Sequence, residues 1–202
     1  MIETLSLYFQ TFMKPTQKFE DRERIGYIEV LGITWSLHII YAFYSVFALY
    51  LGIITYESAT SSQSFTHLIS ESVSVTFQKF TLMMTLFEVI FYPFIFQFGF
   101  KFWAYILRFY AQIFEYKGER SLDTEIEELL NSIYTANLFL IIPIFGNFLS
   151  LITQTYYLFL GLRAKLSFTR AQALLVLMTP LFLMFLLTIL VASYFTLLIS
   201  LL

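Results

Sequence analysis

Three ionisable side chains fall inside long apolar stretches of this chain. Glu88 lies near the middle of the run between Lys79 and Lys101, and Glu29 and His38 lie in the apolar run before it. A charge at the bilayer centre costs about 2.5–3.5 kcal/mol on insertion scales, so an ionisable residue there indicates a functional site by default. Glu88 is therefore predicted to relay protons or cations or to contact a lipid headgroup. The alternative is a protonated carboxyl group that is hydrogen-bonded to another helix.

His38 and Glu29 each have a structural interpretation that competes with a functional one. His38 shares a helical face with Tyr41, and it is either a pH-sensitive element or a hydrogen-bonded packing residue. Glu29 begins its apolar run, where pairing with Arg24 or Arg22 at the membrane surface would explain it. Neither residue by itself indicates a reaction.

The sequence does not contain a recognisable catalytic or metal-binding set. His38 and His67 are 29 residues apart, and no His-x-x-x-His or Glu-x-x-His pair occurs. Cysteine is absent, so thiolate chemistry and disulfides are excluded. No P-loop, Rossmann or nucleophile-elbow pattern appears. A membrane enzyme would need several polar groups at one depth, which the sequence does not reveal, and we expect no enzymatic activity, metal or cofactor.

Side-chain amides mark an apolar segment that is interrupted by Pro143 and Gly146. They are Asn131, Asn137, Asn147 and Gln154. Buried amides between membrane helices usually form interhelical hydrogen bonds worth about 0.6 kcal/mol on average. The sharper alternative is a polar lining for a lipid or ion path, and the sequence leaves both open.

Five basic side chains at the edges of apolar runs are candidates for contact with lipid headgroups. They are Lys101, Arg108, Arg163, Lys165 and Arg170. The first two share one helical face, from which long cationic side chains can reach water. The other three form a compact basic loop that either binds anionic headgroups or only sets the topology.

The elements that carry these residues are predicted to be transmembrane helices. The chain of 202 residues is 58% hydrophobic and only 13% charged, whereas a soluble domain has about 25% charged residues. Uncharged runs near 20 residues are long enough to cross the hydrocarbon layer. We therefore expect an all-α polytopic membrane protein with a single domain, 1–202, and a cytoplasmic amphipathic N-terminus, 1–27.

Five spans are predicted along this domain. They cover about 28–56, 80–100, 129–145, 147–162 and 171–202. The third and fourth form a proline/glycine-broken hairpin, because the 34 residues between Glu128 and Arg163 would make a helix of about 51 Å, too long for one span. Each arm is short, so a re-entrant pair stays open. Surface helices are expected at 1–13 and 101–115, and a polar loop at 57–78.

The distribution of basic residues indicates the orientation of these spans. With the N-terminus in the cytoplasm and the C-terminus outside, eleven of the 12 basic residues lie on the cytoplasmic side. Only Lys79 falls on the far side. Since cytoplasmic loops carry the Lys/Arg excess, this orientation is strongly favoured.

A series of short motifs runs through the C-terminal half of the chain. It comprises the turn Pro143–Gly146, the span end Tyr157-x-x-x-Gly161-Leu162-Arg163 and the pair Ser167-x-x-x-Ala171. This series, with Pro15-x-x-x-Phe19 near the start, resembles the Yip family of Ypt/Rab-interacting membrane proteins, especially its bacterial branch. The resemblance implies five spans and a cytoplasmic N-terminus in a bacterial inner membrane. The Asp-Leu-x-Gly-Pro motif of eukaryotic members is missing, so Rab binding is not expected.

The expected function is a membrane-organising or adaptor role exerted through lipid and protein contacts. The alternative is a small transporter, channel or lipid-translocating protein that uses Glu88 in a polar path. Because five helices enclose little space, this alternative predicts a homo-oligomer. Expected partners are membrane lipids, a second copy or another membrane protein. Nucleic acid is not expected, since the net charge is −2 and no basic tail occurs.

Overall fold

The structure, a computed structural model, describes residues 2–17, 24–60, 66–116, 118, 120–143 and 145–200, without the side chains of 2, 49, 52–60, 66–78, 198 and 200. Over these residues the chain is helical and has no strand. The helices are α1 (Ile2–Met13), α2 (Tyr27–Thr60), α3 (Thr66–Ile113), α4 (Leu122–Tyr134), a 3₁₀ helix (Thr135–Ile141), α5 (Gly146–Ala164) and α6 (Arg170–Ser200).

Three of these helices are long and apolar enough to cross a membrane. The segments are Tyr27–Ala48 in α2, Lys79–Ile113 in α3 and Arg170–Leu197 in α6. The prediction of an all-helical membrane protein is thereby confirmed. Among the described helices, α5 and the pair formed by α4 and the 3₁₀ helix do not meet the same criterion.

The helix α3 is longer than the sequence analysis predicted. It is one helix of 48 residues that continues through Pro93 and past Lys101. The expected surface helix at 101–115 is therefore the end of α3, and most of the expected loop at 57–78 is helical. A proline is tolerated inside a membrane helix because neighbouring groups satisfy the freed carbonyl. The separate elements were predicted from charges alone, and a charge does not end a helix.

The turn after the 3₁₀ helix occurs at the predicted proline–glycine break. The Gly146 N–H donates to the Ile142 carbonyl oxygen at 3.0 Å. A Cβ atom on Gly146 would lie 2.5 Å from the Phe139 carbonyl oxygen, so only glycine fits there. Helix α4 begins at a side-chain cap, because the Ser121 hydroxyl accepts the Thr124 N–H at 3.3 Å.

The core lies around α4 and the 3₁₀ helix rather than around the most apolar helices. Leu129 and Leu130 of α4 are fully buried against residues such as Leu107 of α3 and Leu162 of α5. The approach of α5 is close enough that a Cβ on Gly161 would overlap the side chain of Leu129. The glycine of the Tyr-x-x-x-Gly-Leu-Arg motif thus permits this helix packing.

Candidate functional site

A connected set of polar side chains lies inside the bundle and is centred on Asn137. The Asn137 Oδ1 atom accepts hydrogen bonds from Ser150 Oγ and Gln154 Nε2, both at 2.8 Å. Its Nδ2 donates to the Tyr92 hydroxyl at 3.3 Å. The rings of His38 and Tyr92 are in contact, with centroids 3.9 Å apart. We call these five residues the central polar network.

Four separate segments bring the central polar network together. His38 lies on α2, Tyr92 on α3, Asn137 on the 3₁₀ helix, and Ser150 and Gln154 on α5. The last two are one helical turn apart, so both face the 3₁₀ helix. The Gln154 amide also donates to Ser150 Oγ at 3.1 Å, which fixes its orientation.

The members of this network share one depth. Tyr92 stands nine residues before Lys101, and Gln154 stands nine residues before Arg163, each about 14 Å along its helix. His38 stands 11 residues after the start of α2, about 16 Å. Since half the hydrocarbon thickness is about 15 Å, these distances fit the middle of the membrane. Such a cluster at one depth is the feature that the sequence analysis did not find.

The side chains of the central polar network contact one another and nearby backbone. Tyr92, Asn137 and Ser150 are buried, whereas His38 and Gln154 are half-buried. The His38 Nδ1 atom lies 3.0 Å from the Thr34 carbonyl oxygen, one turn earlier. A polar group in a water-free interior is stable when it is hydrogen-bonded in this way. The arrangement is that of interhelical bonding, with no nucleophile–base pair among the described residues.

Glu88 lies one turn before Tyr92 on α3, yet it is not part of the network. Its side chain is exposed, as are those of Met84, Phe87 and Phe91 around it. Glu88 makes no hydrogen bond or ion pair with any residue that the structure describes. The carboxyl group therefore faces outward from an apolar surface, where water is scarce if α3 spans the membrane.

A second polar cluster lies at the end of the bundle that carries the basic residues. The Glu128 carboxylate accepts a hydrogen bond from Lys165 Nζ at 2.8 Å and lies 3.5 Å from Arg120 and 3.6 Å from Arg24. Lys165 is only 1% exposed, and Glu125, one turn before Glu128, is fully buried. This buried ionic cluster joins the N-terminal segment, α4 and the α5–α6 loop.

The position of Lys165 differs from its predicted role. It was a candidate for headgroup contact, but its ammonium group is enclosed in the ion pair with Glu128. Burying a charge costs several kcal/mol unless a partner compensates it, and here the partner is an acidic residue of α4. Lys165 therefore holds the loop in place rather than facing the membrane surface.

The other headgroup candidates lie on the surface of the described structure. Lys101, Arg108, Arg163 and Arg170 are all exposed. The Arg108 Nε atom donates to Asp123 at 2.8 Å. The Arg163 guanidinium lies 5.8 Å from the ring centre of Phe159, a cation–π distance. These four cations remain available to molecules at the membrane surface.

Two further candidates have local roles. The Glu29 carboxylate accepts the N–H of Gly26 at 2.9 Å and so caps the start of α2. Arg24, its predicted partner, is turned towards Glu128 instead; Arg22 lies outside the described residues. Asn147 is exposed at the start of α5 and does not join the central polar network.

Tyr92, Ser150 and Glu128 were not predicted as site residues from the sequence. A spacing signal existed for two of them. Ser150 and Gln154 are four residues apart, which places a hydroxyl and an amide on one helical face. Glu125 and Glu128 are three residues apart and lie on one face of α4. This signal is ambiguous, because the helix dipole by itself also favours carboxylates in the first turns of a helix.

The fold and the two polar clusters define a helical membrane protein with a closed, hydrogen-bonded interior. Within the described part of the chain, no three His, Asp or Glu side chains gather into a group that could hold a metal ion. No protein-family model, no curated protein and no solved structure matches this chain.

Proposed function

We propose that this protein is a Yip-like, non-enzymatic adaptor that organises the bacterial inner membrane through lipid and protein contacts. The observation that carries the proposal is the contrast between its closed interior and its outward-facing Glu88. The polar groups inside the bundle bond to one another. The one acid on the apolar face of α3 between Lys79 and Lys101 has no bonding partner among the described residues.

An outward carboxyl group in hydrocarbon favours association with another molecule. Intramembrane acids almost always face a protein interior or a water-filled cavity, because exposure to lipid tails is costly. Glu88 stands about 14 Å along α3 from Lys79, too deep for its short side chain to reach the headgroups. The partner that fits is a transmembrane helix with a hydrogen-bond donor at that depth.

We further propose that α4, the 3₁₀ helix and α5 form a re-entrant hairpin, the alternative to two full spans. From Glu128 to Ile141 the arm rises about 23 Å, less than the roughly 30 Å hydrocarbon thickness. The turn exposes apolar residues, including Ile142, Phe145 and Phe148, which suit lipid better than water. Three full spans with this hairpin leave the N-terminus cytoplasmic and the C-terminus outside, as five spans do.

The first test of the adaptor proposal is permeation. Purified protein in lipid vesicles should leak protons and cations, and should flip lipid, no faster than empty vesicles do. The Glu88→Gln variant should behave in the same way. A flux in the unaltered protein that Glu88→Gln abolishes would overturn the adaptor proposal.

The second test is association in the membrane. A photocrosslinking residue at Phe91, beside Glu88, should join the protein to one discrete membrane protein in cells. The matched control places the same residue at Phe182, an exposed position on α6. Loss of the product on Glu88→Leu would support the proposal. Equal crosslinking at Phe182, or a product that survives Glu88→Leu, would contradict it.

A small oligomeric transporter is the second candidate function. The same outward Glu88 favours it, because a polar path would then run between copies rather than through one closed bundle. In that case the crosslinked product at Phe91 would be a dimer of this chain, and the vesicles would show a Glu88-dependent flux. The two tests therefore separate the candidates.

A further inference from the structure

A groove of about 350 Å³ opens beside the C-terminal half of α3, on the side that faces α4 and the start of α2. Its polar lining comprises Tyr27, Gln97, Lys101, Tyr105, Arg108 and Glu127. On α3 the lining positions follow one helical face, because 97, 101, 104, 105 and 108 recur at spacings of three and four residues. Ala104 contributes only a methyl group there, which leaves the space open.

The groove carries charges of both signs. Lys101 and Glu127 are exposed, and neither makes an ion pair with another described residue. Arg108 uses its Nε atom for Asp123, and its remaining N–H groups are not part of that 2.8 Å bond. Two cations and one carboxylate thus line the same groove. Basic residues that only set the orientation of the spans would not need a carboxylate beside them.

The depth of the groove fits the boundary between hydrocarbon and headgroups. Lys101 ends the apolar run of α3, and Gln97 lies one turn deeper, about 6 Å towards the membrane centre. Tyrosine side chains are enriched at this boundary because their rings are apolar and their hydroxyl groups are polar. Tyr27 and Tyr105 lie on the walls of the groove. The order from Gln97 to Arg108 therefore runs from apolar to polar surroundings.

We propose that this groove binds a phospholipid whose headgroup carries a primary amine. The cations of Lys101 and Arg108 would hold the phosphate, since guanidinium and ammonium groups bind phosphate through charge-assisted hydrogen bonds. The Glu127 carboxylate would accept hydrogen bonds from the lipid ammonium group. The Gln97 amide, one turn deeper, would reach the ester region. This site rests on the lipid-contact part of the proposed function, but it is distinct from Glu88, and its test does not involve the tests at Glu88.

The test compares lipids that differ only in the headgroup. The full chain in detergent is titrated with phosphatidylethanolamine, phosphatidylglycerol and phosphatidylcholine of equal acyl chains, and bound lipid is counted by native mass spectrometry. The amine lipid should bind most tightly. Lys101→Gln should weaken the binding of all three by about tenfold. Glu127→Gln should weaken only the amine lipid, by about fivefold.

Three controls make the result decisive. Lys79→Gln removes an exposed cation at the other end of the α3 apolar run and should leave all affinities unchanged. Glu88→Gln should also bind lipid normally, so failure of the adaptor proposal would leave this result intact. Inorganic phosphate should not displace the lipid, because it lacks the amine and the ester. Equal binding of the three lipids, an equal effect of Glu127→Gln on all of them, or displacement by free phosphate would overturn the proposal.

Discussion

In helices α4 and α6 the relation between polarity and burial is the reverse of that in a soluble protein. Helix α4 carries four acidic residues, yet most of it is buried, including Glu125 and Glu128. Helix α6 has no charged residue after Arg170, yet every described side chain from Leu181 to Leu197 is exposed. The more polar helix is inside the bundle and the more apolar helix is outside it.

This reversal indicates which interactions stabilise the protein. In a membrane the lipid tails are as apolar as leucine, so exposing α6 costs little. Polar groups that face lipid tails lack hydrogen-bond partners, which is costly. They therefore lie in the central polar network and the buried ionic cluster. The comparison predicts that polar and close-packed interior positions matter more for stability than the apolar residues of the outer helices.

The largest effect is expected from breaking the buried ionic cluster. Glu128→Ala removes the carboxylate that Lys165, Arg120 and Arg24 surround, so the buried Lys165 ammonium group loses the anion to which it is hydrogen-bonded. The free energy of unfolding should fall by about 3–5 kcal/mol. Thermal unfolding in lipid-free detergent measures the loss.

The neighbouring acid provides the control for this prediction. Glu127 is exposed, so Glu127→Ala should change stability by less than about 0.5 kcal/mol. Replacing both charged partners, as in Glu128→Gln with Lys165→Met, should recover much of the loss. If Glu127→Ala and Glu128→Ala lower the free energy of unfolding equally, the buried ionic cluster does not stabilise the fold.

A smaller loss is expected where α5 meets α4. Gly161→Ala places a methyl group against the side chain of Leu129, which is fully buried. Overpacking of this kind costs about 1–3 kcal/mol, measured by the same unfolding assay. Gly32 is the matched control, because a Cβ there meets nothing within 4 Å, and Gly32→Ala should not destabilise. In the Leu129→Ala background, Gly161→Ala should lower the free energy of unfolding by less than it does in the unaltered chain. An equal loss in both backgrounds would argue against this contact.

The central polar network should contribute next. Asn137→Ala removes the acceptor of Ser150 and Gln154 and the donor to Tyr92. Because interhelical hydrogen bonds in membranes average about 0.6 kcal/mol, the expected loss is about 1–2 kcal/mol. Asn147→Ala, at an exposed amide, should be neutral. Equal effects of the two substitutions would show that the network is not a source of stability.

The smallest effect concerns Tyr8 of α1, whose hydroxyl donates to the Tyr134 carbonyl oxygen at 3.2 Å. Tyr8→Phe should cost about 1 kcal/mol at neutral pH. Burial raises the pKa of Tyr8 well above its usual value, so its neutral form is favoured in the folded state. Its contribution is complete below pH of about 10 and is lost as pH rises towards the folded pKa. The stability difference from Tyr8→Phe should therefore shrink above pH 10; a constant difference would contradict this account.

The sequence predicted the helical membrane class because uncharged runs such as Ala171 to Leu202 need no tertiary information. It also predicted the interruption at Pro143, where the 3₁₀ helix ends before α5 begins, because proline acts locally; the five spans stay a prediction. It failed where distant residues meet: Tyr92, Asn137 and Ser150 are far apart in the chain, and only packing brings them together. It also predicted more than one element where the structure has the single helix α3, since a charge such as Lys101 does not end a helix.

The most direct test of the account measures what faces Glu88 in a bilayer. The chain has no cysteine, so a nitroxide can be attached at Glu88→Cys alone and compared with Phe94→Cys, an exposed position on the same helix. We expect equal and high accessibility to oxygen at both positions in dilute vesicles of pure protein, without spin–spin broadening. Broadening at position 88 would instead support the oligomeric transporter. Low accessibility at 88 without broadening would contradict the outward-facing carboxyl group on which the proposed function rests.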